Sequence, residues 1–188
     1  MAEFEIYSEE NHPEKSADVI AKANKAYGFV PNLLGALSEA PAVAQAYMDL
    51  ASAVGNSSLT LEERHVAWFT INTYHGCDYC MAAHTATAKR QKVADDVIEA
   101  ARMDESYESP KLQALKTFVL EMLDDRGWVS GDKIDVFLEA GFTKQNVLEI
   151  ILLIAHKTIS NYSNHVVHTP LDERFEPFEW KPASLAAE

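Results

Sequence analysis

The chain has 188 residues, 47% of them apolar, with only seven glycines and seven prolines, which suits one compact domain with its own core. Its formal net charge of −13 argues against nucleic acid and anionic membrane as partners. The acidic start MAEFEIYSEE lacks the apolar core of a signal peptide, and the longest apolar run, Ile150–Ala155, is too short to span a bilayer, so a cytoplasmic protein is expected.

In chain order, residues 1–12 are polar and read as irregular. Pro13 to Tyr27 reads as a helix stopped by Gly28. Phe29 to Leu34 is a linker with apolar anchors and a helical turn after Pro31. Pro41 opens a helix through Val54, and Gly55–Ser58 is a loop. Thr60-Leu61-Glu62-Glu63 reads as a capping box, with Thr60 as N-cap and Glu63 reaching back. Val66, Phe69, Ile71 and Tyr74, with Trp68, then give a mostly buried helix up to His75, where Gly76 interrupts. A second helix starts at the cysteines and runs to about Arg90. Val93–Arg102 is a short helix, and Asp104–Ser109 a loop. Pro110 opens a helix bearing Leu112, Leu115, Phe118, Val119 and Met122, ended by Gly127. Asp132–Ala140 is another short helix. Thr143 caps a long one running to about His168. No alternating strand pattern stands out, so the fold class is all-α, a single-domain bundle of about seven or eight helices. The tail 171–188, with Phe175, Phe178 and Trp180 between prolines, is expected to lie extended against its own domain or a neighbouring subunit.

Both cysteines of the protein, Cys77 and Cys80, stand at a helix start, with His84 following. On a helix, Cys80 to His84 is a rotation of roughly 40° and Cys77 to His84 roughly 20° the other way, so the three share a face. A helix N-terminus stabilises a thiolate, and a nearby base or cation lowers the thiol pKa further. Two cysteines spaced Cys-x-x-Cys in a cytosolic chain point to redox or metal chemistry more than to a structural staple. Against this stand two plainer readings: a pair of buried inert thiols, and a zinc site using both thiols with His84, His75 or His65, for which a fourth ligand must fold in. No Gly-rich phosphate loop and no nucleophilic serine elbow is present in the sequence.

The stretch GCDYCMAAH after a capped amphipathic helix resembles the alkylhydroperoxidase D / carboxymuconolactone decarboxylase superfamily, and Gly28-Phe29-Val30-Pro31-Asn32 is similar to an upstream motif of that family. The resemblance implies Cys80 as the peroxide-attacking thiol, Cys77 as the resolving thiol and His84 as the proton-relay base. It departs at one place: twelve residues before Cys77, where the family has Glu, this chain has His65. His65 is therefore a candidate relay residue. The implied activity is antioxidant hydroperoxide reduction, of peroxiredoxin type, without metal, haem or flavin. A lipoyl-type or thioredoxin-like dithiol reductant and a homo-oligomer, trimer or hexamer, are implied with it. The alternatives are a lyase of the decarboxylase branch, which does not depend on a Cys pair, and a non-enzymatic redox-sensing or zinc-binding module.

An internal echo completes the reading. Shifted by 84 residues, Cys77-x-x-Cys80-x-x-x-His84 falls on Asn161-x-x-Asn164-x-x-x-His168, and His65 falls on Glu149. Apolar positions superpose as well, Val66 on Ile150 and Phe69 on Leu153. Two pseudo-repeated halves are predicted, the second without thiols. Its Asn161, Asn164 and His168 are expected to make structural hydrogen bonds, and the helices around 60–75 and 144–160 to pack together.

Overall fold

A computed structural model describes residues 3–181. Its elements are α1 (Ala17–Tyr27), α2 (Asn32–Leu37), α3 (Pro41–Gly55), α4 (Leu61–His75), α5 (Asp78–Arg90), α6 (Asp95–Arg102), α7 (Pro110–Asp124), α8 (Gly131–Glu139) and α9 (Lys144–Val167), with 3₁₀ turns at Glu14–Ser16 and Glu176–Phe178. The all-α expectation holds, with nine α-helices among the described residues rather than seven or eight. The additional element is α2, which is six residues long and too short to carry a helical period. The helix expected from Pro13 begins as a 3₁₀ turn. The one expected from Val93 begins at Asp95, and Val93 packs into the core as loop.

Two devices fix the helix that carries the site. The N-terminus of α4 is closed by the full capping box: Glu63 N–H donates to Thr60 Oγ1 at 3.2 Å, and Thr60 N–H donates to Glu63 Oε2 at 2.8 Å. Its C-terminus is a Schellman motif. Gly76 sits at φ 66, Gly76 N–H donates to Thr73 O and Cys77 N–H donates to Asn72 O. That reversal makes Cys77 the N-cap of α5 and puts Cys80 in the first turn.

Helix α4 lies in the middle. Its Val66, Ala67, Phe69 and Ile71 are fully buried, and it packs against α5, α6, α7 and α9. One core cluster joins α4 to α7 and α9, with Phe118, Phe137 and Phe142 stacked. A second cluster joins α1, α2 and α3 to the cysteine turn.

Helices α4 and α9 pack together as the internal echo requires. The second half is not a copy, however. The position of Gly76 falls on Ser160, and α9 runs through it unbroken. His168 is exposed and left-handed at the end of α9, so it ends the helix instead of bonding within the core.

The tail lies on its own domain as far as residue 181. Asp172 accepts from Tyr79 Oη at 2.6 Å and from Asn32 N–H at 3.1 Å, and Trp180 Nε1 donates to Arg102 O at 2.7 Å. It is not extended throughout, since Glu176–Phe178 turn as 3₁₀. The part of the tail at 182–188 lies outside the described residues.

Candidate active site

Cys77 and Cys80 are free thiols, 0% and 2% exposed. The Cys77 thiol bonds to the Cys80 sulfur, and Asn164 Nδ2 donates to Cys80 Sγ at 3.1 Å and approaches Cys77 Sγ at 3.8 Å. The two sulfurs are thereby driven apart in acidity. Burial resists ionisation of Cys80. The Cys77 hydrogen bond, the Lys157 charge and the amides of Asn161 and Asn164 outweigh it, and the thiol falls well below its usual value. Cys77, whose thiol bonds to Cys80 and is buried beside it, is pushed up. These causes favour the proton on Cys77 and the negative charge on Cys80.

His84, which the resemblance implies as the proton-relay base, lies on the next turn of α5. Lys157 Nζ donates to its Nε2 at 3.0 Å. An ammonium can only donate, so Nε2 is the acceptor and the imidazole proton sits on Nδ1. Burial and the Lys157 charge hold the ring neutral, well below its usual pKa. The cation beside the thiols is Lys157, which is 1% exposed.

His65 is buried behind His84, their ring centroids 6.3 Å apart, with Trp68 and Phe69 around it. Its Nε2 lies 2.7 Å from Gln91 Oε1, and burial lowers its pKa. His156 is 3% exposed and stacks on Tyr47. Burial, then the Lys157 charge, brings its pKa down to about 3. Three histidines are thus kept uncharged around one lysine.

A cavity of about 290 Å³ opens over this cluster, walled by Tyr47, Trp68, Tyr79, His84, His156 and Phe175. His84 Nδ1, Trp68 Nε1 and both ring nitrogens of His156 are buried without a protein partner among the described residues. Trp68 and Tyr79 line this cavity, whereas Tyr74, read from sequence as part of a mostly buried helix, is exposed. Among the described residues no group of three or more His, Cys, Asp or Glu converges to hold a metal ion.

The structure brings Cys77, Cys80, His84 and His65 into one region of the molecule. Sequence reading missed Lys157 and His156, which arrive from α9. It underrated Asn161 and Asn164, whose place in the internal echo is the signal that points to them. Asn161 donates to Asn72 Oδ1 at 3.1 Å and accepts from His75 Nδ1 at 2.9 Å. That is the structural bonding expected of it. Asn164 instead bonds the thiols.

Residues 41–119 match the family model described as the carboxymuconolactone decarboxylase family. Among curated proteins the sequence finds no match. Among solved structures, the chain is similar to an alkylhydroperoxidase D core, an uncharacterized peroxidase-related protein from Ralstonia eutropha JMP134. Identity is 22% and TM-score 0.76, over 92% of this chain and 93% of that one. It is similar to a peroxidase-related protein from Silicibacter sp. TM1040, at 16% identity and TM-score 0.72 over 87% of each chain. It is also similar to the debrominase Bmp8, solved in complex with 2,3,4-tribromopyrrole, at 17% identity and TM-score 0.71 over 87% of this chain and 89% of that one. These likenesses carry the fold. The family match covers residues 41–119, the segment that holds both cysteines, so that segment is similar to the carboxymuconolactone decarboxylase family and the whole chain has the alkylhydroperoxidase D-like fold.

Proposed function

We propose that the chain is a thiol peroxidase that reduces organic hydroperoxides through a Cys77–Cys80 disulfide cycle. The observation that carries this reading is a buried thiol pair at a helix start, with Asn164 Nδ2 donating to Cys80 Sγ at 3.1 Å and a buried lysine, Lys157, bonded to His84 one turn on. Low thiol pKa beside a cation is what a nucleophilic cysteine needs. Aromatic walls suit the organic part of the substrate, and the unpartnered Trp68 and His84 N–H groups suit its oxygens.

The Cys80 thiolate attacks one peroxide oxygen and the O–O bond breaks. An alkoxide leaves and takes up a proton through His84, while Cys80 becomes a sulfenic acid. The Cys77 thiol then attacks the Cys80 sulfur, the disulfide forms and water departs. An external dithiol restores the pair by exchange. Sulfurs this deeply buried favour a slender dithiol of lipoyl type over a bulky protein surface. Assembly into a homo-oligomer is part of the proposal, since α9 exposes Leu148, Ile151, Tyr162 and Val166.

Mass spectrometry of the 77–80 peptide after one equivalent of cumene hydroperoxide tests the cycle: loss of two hydrogens is expected. Cys77→Ser is expected to give a dimedone-trappable sulfenic acid at Cys80, and Cys80→Ser none. A trapped sulfenic acid in Cys80→Ser alone would reverse the two roles. A protein that spares the hydroperoxide but consumes 2,3,4-tribromopyrrole would point instead to reductive dehalogenation, for which the aromatic walls are equally suited.

A further inference from the structure

The cavity over the thiols differs in charge from the rest of the molecule. The chain has 29 Asp and Glu against 16 Lys and Arg. Yet no carboxylate lines the cavity, and Arg90 is the only Lys or Arg that does. A cation in the last turn of α5 is ordinary, since the helix dipole favours one there. Lys89 fills that role and pairs with Asp95 at 3.2 Å. Arg90 lines the cavity instead, and no carboxylate pairs with it among the described residues. Beside it, Gln91 Oε1 lies 2.7 Å from His65 Nε2, which leaves the Gln91 amide nitrogen to donate. Both residues are exposed, so they form the rim. The spacing along the helix sets what can span from rim to thiol. Counted from Cys80, Ala83, His84, Thr87, Arg90 and Gln91 stand at i+3, i+4, i+7, i+10 and i+11, one face of α5 and its cap. All five line the cavity. Ten residues rise about 15 Å, and a long side chain leans back toward the helix N-terminus. Between the two ends the walls are aromatic, from Tyr47, Trp68 and Phe175.

We propose that this cavity selects organic acids, the carboxylate held at the rim by Arg90 and Gln91 and the apolar body lying along α5 toward Cys80. On the peroxidase reading, on which this rests, the substrate is a hydroperoxide whose carboxylate stands about eight to ten carbons from its O–O group, the extended length that fits this span. A guanidinium takes a carboxylate as a bidentate pair, which fixes which end of the molecule enters first. Arg90 binds and orients the substrate and takes no part in breaking the O–O bond.

The test compares ω-hydroperoxydecanoic acid with decyl hydroperoxide, alike except for the carboxylate. In the unmodified protein kcat/KM is expected to be roughly tenfold higher for the acid, a modest factor because the rim is open to solvent, and added salt should shrink it. Arg90→Met is expected to abolish that preference, chiefly through KM, Arg90→Lys to keep part of it, and Arg90→Glu to invert it. Arg90 is exposed, so these variants leave the core untouched. No preference in the unmodified protein, or one that survives in Arg90→Glu, would overturn the proposal. Binding is read apart from chemistry, as the shift of the Trp68 indole N–H signal on titration with decanoate and with decanol. An Arg90-dependent preference for decanoate supports the proposal even where no hydroperoxide is consumed, a result that sinks the peroxidase reading alone. Equal binding of the two overturns it whatever the fate of the hydroperoxides.

Discussion

Asn164 contributes to the acidity of Cys80 through a single amide hydrogen bond, 3.1 Å long, from a residue 84 positions further along the chain. A bond to a charged acceptor contributes about 1.5–3 kcal/mol, which is roughly 1–2 pKa units. Asn164→Ala is therefore expected to raise the Cys80 pKa by that amount. Because only the thiolate reacts, alkylation by iodoacetamide at neutral pH should slow, and its pH profile should move to higher pH. An unchanged profile would mean that the Cys77 bond, the Lys157 charge and Asn161 set the acidity without it. At His65 the family residue is Glu. His65→Glu would put a carboxyl among Trp68, Phe69 and His84, where burial favours its protonated, proton-donating form. Hydroperoxide reduction is expected to be equal or faster, and a clear loss of rate would show that this chain relays protons by another route. Much of this residue-level picture was legible in the sequence, because Cys77, Cys80 and His84 lie within two helical turns. Lys157 was not. In a long amphipathic helix a lysine reads as solvated face, and only the tertiary packing of α9 shows it facing the thiols.

At the scale of elements, the capping box of α4 was readable from four consecutive residues, because both of its hydrogen bonds are local. Thr60→Ala is expected to cost about 1 kcal/mol of stability, measured by urea unfolding. Glu63 also pairs with Lys111 at 2.6 Å. Burial opposes its ionisation, but the Lys111 and Thr60 bonds prevail and hold its carboxyl below the usual range. A carboxyl depressed in the folded state stabilises above its unfolded pKa, and that contribution is lost as pH falls through the folded value. Glu63→Gln should therefore be less stable than the unmodified protein at pH 7, with the gap closing below about pH 4.5. At Gly76, φ is 66 and the chain must turn between two helices. Gly76→Ala is expected to cost about 1–2 kcal/mol and to shift the cysteine turn, read as altered thiol reactivity. Helix α2 was legible only as a helical turn after Pro31, for the opposite reason to the capping box. It is held by tertiary contact: Ile6 and Tyr7 pack so closely on Gly35 that a Cβ there would overlap Tyr7 O.

For the whole molecule, the bundle was legible as all-α with α4 mostly buried, while the second-half echo was legible only in part. Its hydrophobic register survives in α9, but Ser160 stands where Gly76 would break the helix. The tail forms a strap. Tyr79 Oη donates to Asp172 and accepts from Leu33 N–H at 3.2 Å, which ties α5, α2 and the tail at one point beside the cavity. Tyr79→Phe deletes that junction and leaves Asp172 half-satisfied. Faster proteolysis of the tail and faster thiol alkylation are expected together; either change without the other would show that the strap and the site are not coupled. In light scattering the exposed apolar face of α9 should appear as a mass of several chains, and Ile151→Glu should lower it.

The distance in sequence between the thiols and the α9 residues that tune them has a consequence during synthesis. The cysteines leave the ribosome before Lys157 and Asn164 do. A nascent chain holding only α1 to α5 lacks the Lys157 charge and the Asn161 and Asn164 amides that lower the Cys80 pKa, so its thiols should react more slowly with oxidants at neutral pH. Their reactivity switches on when α9 docks against α4 and α5. A half-made or misfolded chain is thus chemically quiet, and the acquired acidity of Cys80 can serve as a readout of completed folding.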